Sequence, residues 1–129
     1  LGTCAGLILM AKNIENESKV NPLGILDITV NRNAYGRQIM SKKEQLNMKY
    51  DSKLVDIEVT LIRAPKIKEI GNGTQTLLEL DGSPIAVYNG MHMGLSFHPE
   101  LNGLTIFHDS IFGGSVKSSF QISGNVNAA

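Results

Sequence analysis

Three side chains of this sequence, Cys4, His98 and Glu100, have the types and the spacing that nucleophilic catalysis requires. A thiol nucleophile needs a base to take its proton, and that base needs a partner that fixes its tautomer and orientation. Pro99 keeps His98 out of the helical region, and residues two apart on an extended chain point to the same face. We therefore predict a triad in which Cys4 is the nucleophile, His98 is the general base and Glu100 orients His98.

The turn that would carry Cys4 has the composition of a nucleophile elbow. Cys4 lies within Gly2-Thr3-Cys4-Ala5-Gly6, and such a sharp turn requires small residues on either side of the nucleophile. Apolar residues follow at helical spacing, at Leu7, Ile8, Ala11 and Ile14. The spacing predicts a helix with one apolar face directly after Cys4. Because a helix N-terminus favours an anion, we also expect a lowered pKa for the Cys4 thiol.

Each of these residues also has a purely structural alternative. A single cysteine is compatible with a buried, unreactive thiol, because free cysteine is among the most buried residue types. His98 is compatible with a structural histidine at a strand end, and we assign that structural role to His92 and His108. The combination of Cys4 with the pair His98 and Glu100 is what favours catalysis.

The composition excludes several classes of partner. Twelve basic residues balance twelve acidic ones over 129 residues, with no block of like charge, so neither a nucleic acid nor a membrane surface is indicated. A single cysteine precludes an internal disulfide and fits a reducing, cytoplasmic location. The longest apolar run, around Leu7 to Ala11, is too short to cross a bilayer.

The other elements must bring the two ends of the chain together. Branched residues predict strands over 24–32 and 55–63, separated by a loop at 33–38 and a lysine-rich loop or short helical excursion over 39–52. The turn dipeptides Asn72-Gly73, Asp81-Gly82 and Asn89-Gly90 predict an antiparallel meander of strands at 75–80, 84–88 and 91–97. A helix is predicted over 102–112. A helix followed by many strands indicates an α/β fold.

Two motifs lie far apart in the chain, Gly-Thr-Cys-Ala-Gly at 2–6 and Ser-Phe-His-Pro-Glu at 96–100. Together they resemble those of class I, triad-type glutamine amidotransferases. Three segments between them are more specific: Gly-Ile-Leu-Asp-Ile-Thr-Val at 24–30, Arg-Asn-Ala-Tyr-Gly-Arg-Gln at 32–38 and Ile-Arg-Ala-Pro at 62–65. With these segments the chain resembles, from residue 1 to about Phe112, the glutaminase subunits of pyridoxal 5′-phosphate synthases.

The resemblance implies a fold, a reaction and a partner. The fold is a flavodoxin-like α/β sheet with flanking helices and an antiparallel extension. The reaction is hydrolysis of L-glutamine to glutamate and ammonia through a thioester on Cys4. The ammonia would go to a synthase (lyase) subunit in a hetero-oligomer, for vitamin B6 biosynthesis. Neither a metal nor an organic cofactor is expected, because the thiol, the His/Glu pair and backbone donors suffice for the chemistry.

The resemblance also implies roles for four further residues. Arg32 and the segment Ile62-Arg63 would hold the glutamine substrate, and an arginine suits a substrate carboxylate because it can bind it bidentately. The backbone N–H of Ala5 would be an oxyanion donor. As an alternative, both arginines are compatible with ordinary solvated surface charges.

We interpret residues 1–112 as the C-terminal portion of such a domain and 113–129 as a loose tail. The family's upstream Gly-Gly-Glu-Ser loop, which supplies a further oxyanion donor, is not among the 129 residues, so we expect the N-terminal strands to be missing. Two other interpretations stay open. One is a glutaminase that serves another amidotransferase pathway, and the other is a truncated, catalytically inactive chain or a binding module for the synthase.

Overall fold

The structure, a computed structural model, describes residues 1–15, 19–32 and 42–113. Two helices and a 3-10 turn accompany nine strands over these residues. In chain order the elements are β1 (Gly2–Thr3), α1 (Ala5–Met10), β2 (Ala11–Ile14), β3 (Leu26–Asn31), β4 (Lys42–Tyr50), β5 (Lys53–Leu61), β6 (Lys66–Ile70), β7 (Gln75–Leu80), β8 (Ser83–Tyr88), β9 (Met93–Leu95), the 3-10 turn (Pro99–Asn102) and α2 (Ile106–Gly113).

The described strands form three sheets. The first has the order β1-β9-β8-β7, with β1 parallel to β9 and the other neighbours antiparallel. The second has the order β2-β3-β6, with β3 parallel to β2 and antiparallel to β6. The third is the antiparallel pair of β4 and β5. The strands thus mix parallel and antiparallel pairs, with β1 and β9 forming the parallel pair next to Cys4.

The helix after Cys4 is shorter than predicted. It ends at Met10, and the following residues, Ala11–Ile14, pair with β3 as the strand β2. The prediction that Ala11 and Ile14 lie on the helix is therefore wrong. The register between β2 and β3 is irregular between Ala11 and Asn13, and this bulge allows two residues three apart to face the same hydrophobic cluster. In the sequence alone, that spacing is indistinguishable from a helical one.

The lysine-rich stretch 39–52 also differs from its prediction as a loop or short helix. Its described part contains the nine-residue strand β4, which pairs with β5 from Lys42 opposite Leu61 to Tyr50 opposite Lys53. Asp51 and Ser52 close the hairpin with φ of 49° and 62°, and positive φ at both central residues defines a type I′ turn. This turn contains no glycine, so the sequence lacked the usual hairpin signal.

The remaining predictions agree with the structure. The strands at 24–32 and 55–63 are found as β3 and β5, and the meander is found as β7, β8 and β9. The helix predicted over 102–112 is found as α2, which begins four residues later than predicted, at Ile106, and ends at Gly113. No prediction was made for β6. The loop predicted at 33–38 and the tail from residue 114 onwards lie outside the described residues.

One hydrophobic cluster joins the meander to the β4–β5 hairpin and α2. Its fully buried members include Val59, Met93, Phe97 and Phe107. The rings of Phe97 and Phe107 meet edge to face, with centroids 5.3 Å apart and planes at 70°. Because Phe97 immediately precedes His98, this contact fixes the start of the segment that carries the predicted base.

A second cluster lies under α1 and holds the helix against the sheet. Leu7 from α1, Leu26 from β3 and Val87 from β8 are fully buried in it. At Gly94 in β9, an added Cβ would come 2.9 Å from the Leu26 side chain and would also collide with that of Leu7. Glycine at this position therefore allows α1 to approach β9 closely, and the elbow at the start of α1 is held by that packing.

Candidate active site

Two parallel strands bring Cys4 and His98 to the same edge of the first sheet. Thr3 in β1 lies opposite Leu95 in β9, and the backbone N–H of Cys4 continues the ladder by donating to the Leu95 carbonyl at 2.8 Å. Cys4 follows the end of β1 directly, and His98 follows β9 three residues after Leu95. Ligand and catalytic sites of α/β sheets lie at this carboxyl edge of parallel strands.

The backbone at Cys4 has the strained geometry of an elbow. Cys4 has φ of 52° and ψ of −104°, which places a non-glycine residue in a sparsely populated region. An added Cβ at Gly2 would lie 2.8 Å from the carbonyl carbon and oxygen of Gly6, so glycine is required at Gly2. An added Cβ at Gly6 meets no described atom within 4 Å, so a hydrogen in place of a side chain is not required on that side.

The surroundings of Cys4 disfavour the thiolate form of its side chain. Burial raises the pKa of Cys4, the Ala5 backbone N–H lowers it in part, and the negative charge of Glu100 raises it again. The net shift is upward, so the predicted lowering is wrong. Burial removes water that would stabilise the thiolate, and the N-terminus of the six-residue helix α1 does not stabilise the thiolate enough to compensate. The Cys4 thiol lies 3.7 Å from the carbonyl oxygen of Ile62, to which it donates.

His98 and Glu100 form the pair that the sequence predicts. Nδ1 of His98 lies 2.7 Å from Oε1 of Glu100. His98 is extended, as expected, but Glu100 lies in the 3-10 turn that begins at Pro99, so the turn rather than an extended strand brings the two side chains together. Because the contact is made by Nδ1, the other ring nitrogen, Nε2, remains available for proton transfer.

The surroundings of Glu100 keep its carboxylate ionised. Burial acts to raise the pKa of Glu100, but hydrogen bonds from its own backbone N–H and from His98 lower it, together with electrostatic interactions with the His98 and His108 side chains. The net shift is downward. The sequence alone indicates only a structural role for His108 and gives no sign of its effect on Glu100. His108 lies on α2, where it stacks on Phe112 with ring centroids 6.4 Å apart.

The residues predicted to bind substrate are placed differently from one another. Ile62 and Arg63 follow the end of β5 and meet the elbow through the Ile62 carbonyl that accepts from Cys4. Arg63 is exposed and has φ of 45°, a further strained non-glycine residue beside the site. Arg32 is exposed at the carboxyl end of β3, in the second sheet. Its role in binding glutamine stays a prediction.

The backbone N–H of Ala5 donates a hydrogen bond to the Cys4 thiol, which lowers the Cys4 pKa in part. Ala5 is the first residue of α1, so its N–H has no carbonyl partner within the helix. A donor in this position is what the prediction of an oxyanion role for Ala5 requires. That role itself stays a prediction.

Two further observations concern metal binding and membrane-spanning helices. Among the described residues, no three His, Cys, Asp or Glu side chains group as metal ligands would. In residues 1–15, 19–32 and 42–113, no helix has the length and apolar character that crossing a membrane requires.

Comparison with known proteins shows which family the chain is similar to. The profile of the SNO glutamine amidotransferase family matches residues 1–113. The pyridoxal 5′-phosphate synthase subunit PdxT of Staphylococcus epidermidis is 50% identical over 100 residues, which are 78% of this chain and 52% of that protein. The protein of the same name from Thermoplasma acidophilum is 43% identical over 109 residues, or 84% of this chain and 51% of that protein.

A solved structure extends the likeness to the fold. The crystal structure of a glutamine amidotransferase matches with a TM-score of 0.75 and 35% sequence identity, over 87% of this chain and 58% of that one. This match confirms the predicted fold class, the flavodoxin-like α/β sheet of class I glutamine amidotransferases. The chain spans about half the length of the curated relatives it matches.

Proposed function

The chain belongs to the SNO glutamine amidotransferase family, and we propose that it hydrolyses L-glutamine to glutamate and ammonia with Cys4 as nucleophile. The ammonia would be used by a synthase (lyase) subunit in a hetero-oligomer that makes pyridoxal 5′-phosphate. The printed names of the relatives, which are subunits of pyridoxal 5′-phosphate synthase, support this choice of partner. A reducing, cytoplasmic setting suits the proposal because the nucleophile must remain a free thiol.

The proposed reaction begins with proton transfer from Cys4 to Nε2 of His98. The Cys4 sulfur attacks the side-chain amide carbon of glutamine, and the resulting tetrahedral intermediate collapses to a γ-glutamyl thioester. The leaving nitrogen takes the proton from Nε2 and departs as ammonia. Water, deprotonated by His98, then attacks the thioester, which yields glutamate and restores the thiol.

The raised pKa of Cys4 explains why the proposed reaction needs His98 as a general base. A thiol that is neutral at rest must lose its proton during the attack, so a base within reach is required rather than a preformed thiolate. Glu100, whose lowered pKa keeps it ionised, holds Nδ1 of His98 and stabilises the imidazolium that forms.

The substrate would lie between the elbow and the end of β5. In the proposal, Arg63 and Arg32 bind the charged groups of glutamine, and the Ile62 backbone borders the reacting amide. The Ala5 N–H, which donates to the thiol at rest, would bind the oxyanion as negative charge develops there. Removing one oxyanion donor typically lowers the rate by about a hundredfold to a thousandfold.

The observation that carries the proposal is the 2.7 Å contact between His98 and Glu100 at the sheet edge where β1 delivers Cys4. The test uses the longest gene product that contains this sequence, which we call the full-length protein. It is assayed with and without its synthase subunit. We expect ammonia release from glutamine, and we expect Cys4→Ser and His98→Asn to abolish it. His92→Asn is the matched control, because His92 lies in the turn between β8 and β9.

A second measurement tests the nucleophile directly. A diazo-ketone analogue of glutamine should label the peptide that contains Cys4 stoichiometrically, as read by mass spectrometry. The proposal fails if wild-type protein with its synthase subunit releases no ammonia. It also fails in its choice of nucleophile if the label is found on another residue while Cys4 is unmodified.

A further inference from the structure

We infer that Thr60, in β5, is a positioning residue for the His98–Glu100 pair, acting through Asn102. The Thr60 hydroxyl donates to Oδ1 of Asn102 at 2.7 Å. The backbone carbonyl of the same residue accepts from the backbone N–H of His98 at 3.2 Å. One residue therefore holds both ends of the five-residue segment His98–Asn102, which carries the base and its orienting carboxylate.

The buried position of Thr60 allows its contact with Asn102 to set the location of the exposed Glu100 side chain. Thr60 is 4% exposed, whereas the Glu100 side chain is 53% exposed and contacts Nδ1 of His98 through Oε1. The Glu100 carboxylate therefore owes its location mainly to the 3-10 turn beneath it. Asn102 is the last residue of that turn, so tethering Asn102 fixes the orientation of the turn as a whole.

The residue just past the end of β5 contacts the nucleophile. Two residues after Thr60, the carbonyl of Ile62 accepts from the Cys4 thiol. The segment Thr60–Ile62 thus contacts the base through the Thr60 carbonyl, the carboxylate-bearing turn through the Thr60 hydroxyl, and the thiol through the Ile62 carbonyl. Loss of the hydroxyl would release the turn while leaving the contacts to His98 and Cys4 in place. A misplacement of about 1 Å can lower a catalytic rate by about a hundredfold.

The test compares Thr60→Val, which removes the hydroxyl at nearly constant volume, with Thr60→Ser, which retains it. Asn102→Ala removes the acceptor instead, at a less buried position, and keeps the test open if Thr60→Val does not fold. The matched control is Thr76→Val in β7, at the opposite edge of the sheet from β1. All variants are made in the full-length protein.

Two readouts separate positioning from a merely structural role. The first is steady-state ammonia release, in which we expect Thr60→Val and Asn102→Ala to lower kcat by about tenfold to a hundredfold with KM changed less than about threefold. The second is the tautomer of the His98 ring, read from long-range proton–nitrogen spectra at a pH where the ring is neutral. In the wild type, Thr60→Ser and Thr76→Val, Nδ1 should carry the proton, whereas Thr60→Val and Asn102→Ala should show both tautomers.

The inference rests on the proposed function for the kinetic readout alone. If the wild-type protein releases no ammonia, the proposed function fails, and the tautomer measurement still decides the role of Thr60. A Thr60→Val protein with the wild-type tautomer and wild-type kcat would overturn the inference, even if its melting temperature were lower. A Thr60→Ser protein that behaves like Thr60→Val would overturn it as well, because the hydroxyl would then not be the active group.

Discussion

Replacing Gly2 by alanine should destabilise the elbow, whereas the same change at Gly6 should not. An added Cβ at Gly2 would lie 2.8 Å from two backbone atoms of Gly6 and would also collide with the Met10 sulfur. The sulfur belongs to a flexible side chain and can move, but the Gly6 backbone belongs to α1. At Gly6 itself an added Cβ meets no described atom within 4 Å. The two glycines of the elbow therefore form a matched pair.

The two substitutions should change the free energy of unfolding in opposite directions. Forcing extra volume into packed structure costs about 1–3 kcal/mol, and we expect the upper part of this range for Gly2→Ala because backbone must shift. Gly6→Ala should stabilise by up to about 1 kcal/mol, because alanine has the higher helix propensity and a smaller loss of backbone entropy. The two effects together differ by about 2–4 kcal/mol, so at about 2–8 °C per kcal/mol the two variants should differ by about 4–30 °C in melting temperature.

The assay is thermal unfolding of both variants in the full-length protein, with the alkylation rate of the Cys4 peptide as a second readout. Gly2→Ala should change that rate because displacing α1 moves Ala5, whose N–H bonds the thiol. Gly6→Ala should leave it unchanged. If Gly2→Ala melts at or above the wild-type temperature with an unaltered alkylation rate, the close packing of the elbow against α1 is not what shapes the turn.

Three further predictions concern charge and strain at the site. The alkylation rate of Cys4 should rise with pH around a midpoint above the ordinary thiol pKa, because burial and the Glu100 charge raise the pKa of Cys4. Glu100→Gln removes that charge and should move the midpoint to lower pH. Because the native pKa of Glu100 is lowered, its stabilising contribution is present at neutral pH and is lost as pH falls through that native value. Acid unfolding of Glu100→Gln should accordingly show a shallower dependence on pH; an unchanged slope would contradict the lowered pKa. Finally, Arg63→Gly should relieve a φ of 45° and stabilise the protein by about 1 kcal/mol while raising KM for glutamine, and Arg63→Lys, which keeps a positive charge, should raise KM less. Equal KM values in both variants and the wild type would remove Arg63 from the substrate site.

The residue types of the candidate triad could be identified from the sequence because their signals are local. The small residues around Cys4 and the spacing of His98, Pro99 and Glu100 each occupy a few consecutive positions. Turn dipeptides with glycine likewise identified the meander, since the positive φ they supply is a property of the residues themselves. These features depend on short-range geometry that any surrounding fold must respect.

Tertiary pairing decided the features that the sequence misrepresented. Ala11 and Ile14 have helical spacing, but hydrogen bonds to β3 turn them into a bulged strand. Lys42–Tyr50 shows little pattern, but pairing with β5 and a glycine-free turn at Asp51 make it a strand. Strand formation depends on a partner that is distant in sequence, so local composition cannot decide it.

The electrostatics of the site also depended on the fold. The helix N-terminus at Cys4 indicated a lowered pKa, yet burial and the Glu100 carboxylate, which is 96 positions away, raise it. His108 acts on Glu100 through space in the folded chain, and Thr60 meets Asn102 only because β5 contacts the 3-10 turn. The sequence by itself determined which groups could react. Desolvation and contacts between distant segments exist only in the folded chain, and they decided the protonation states and positions of those groups.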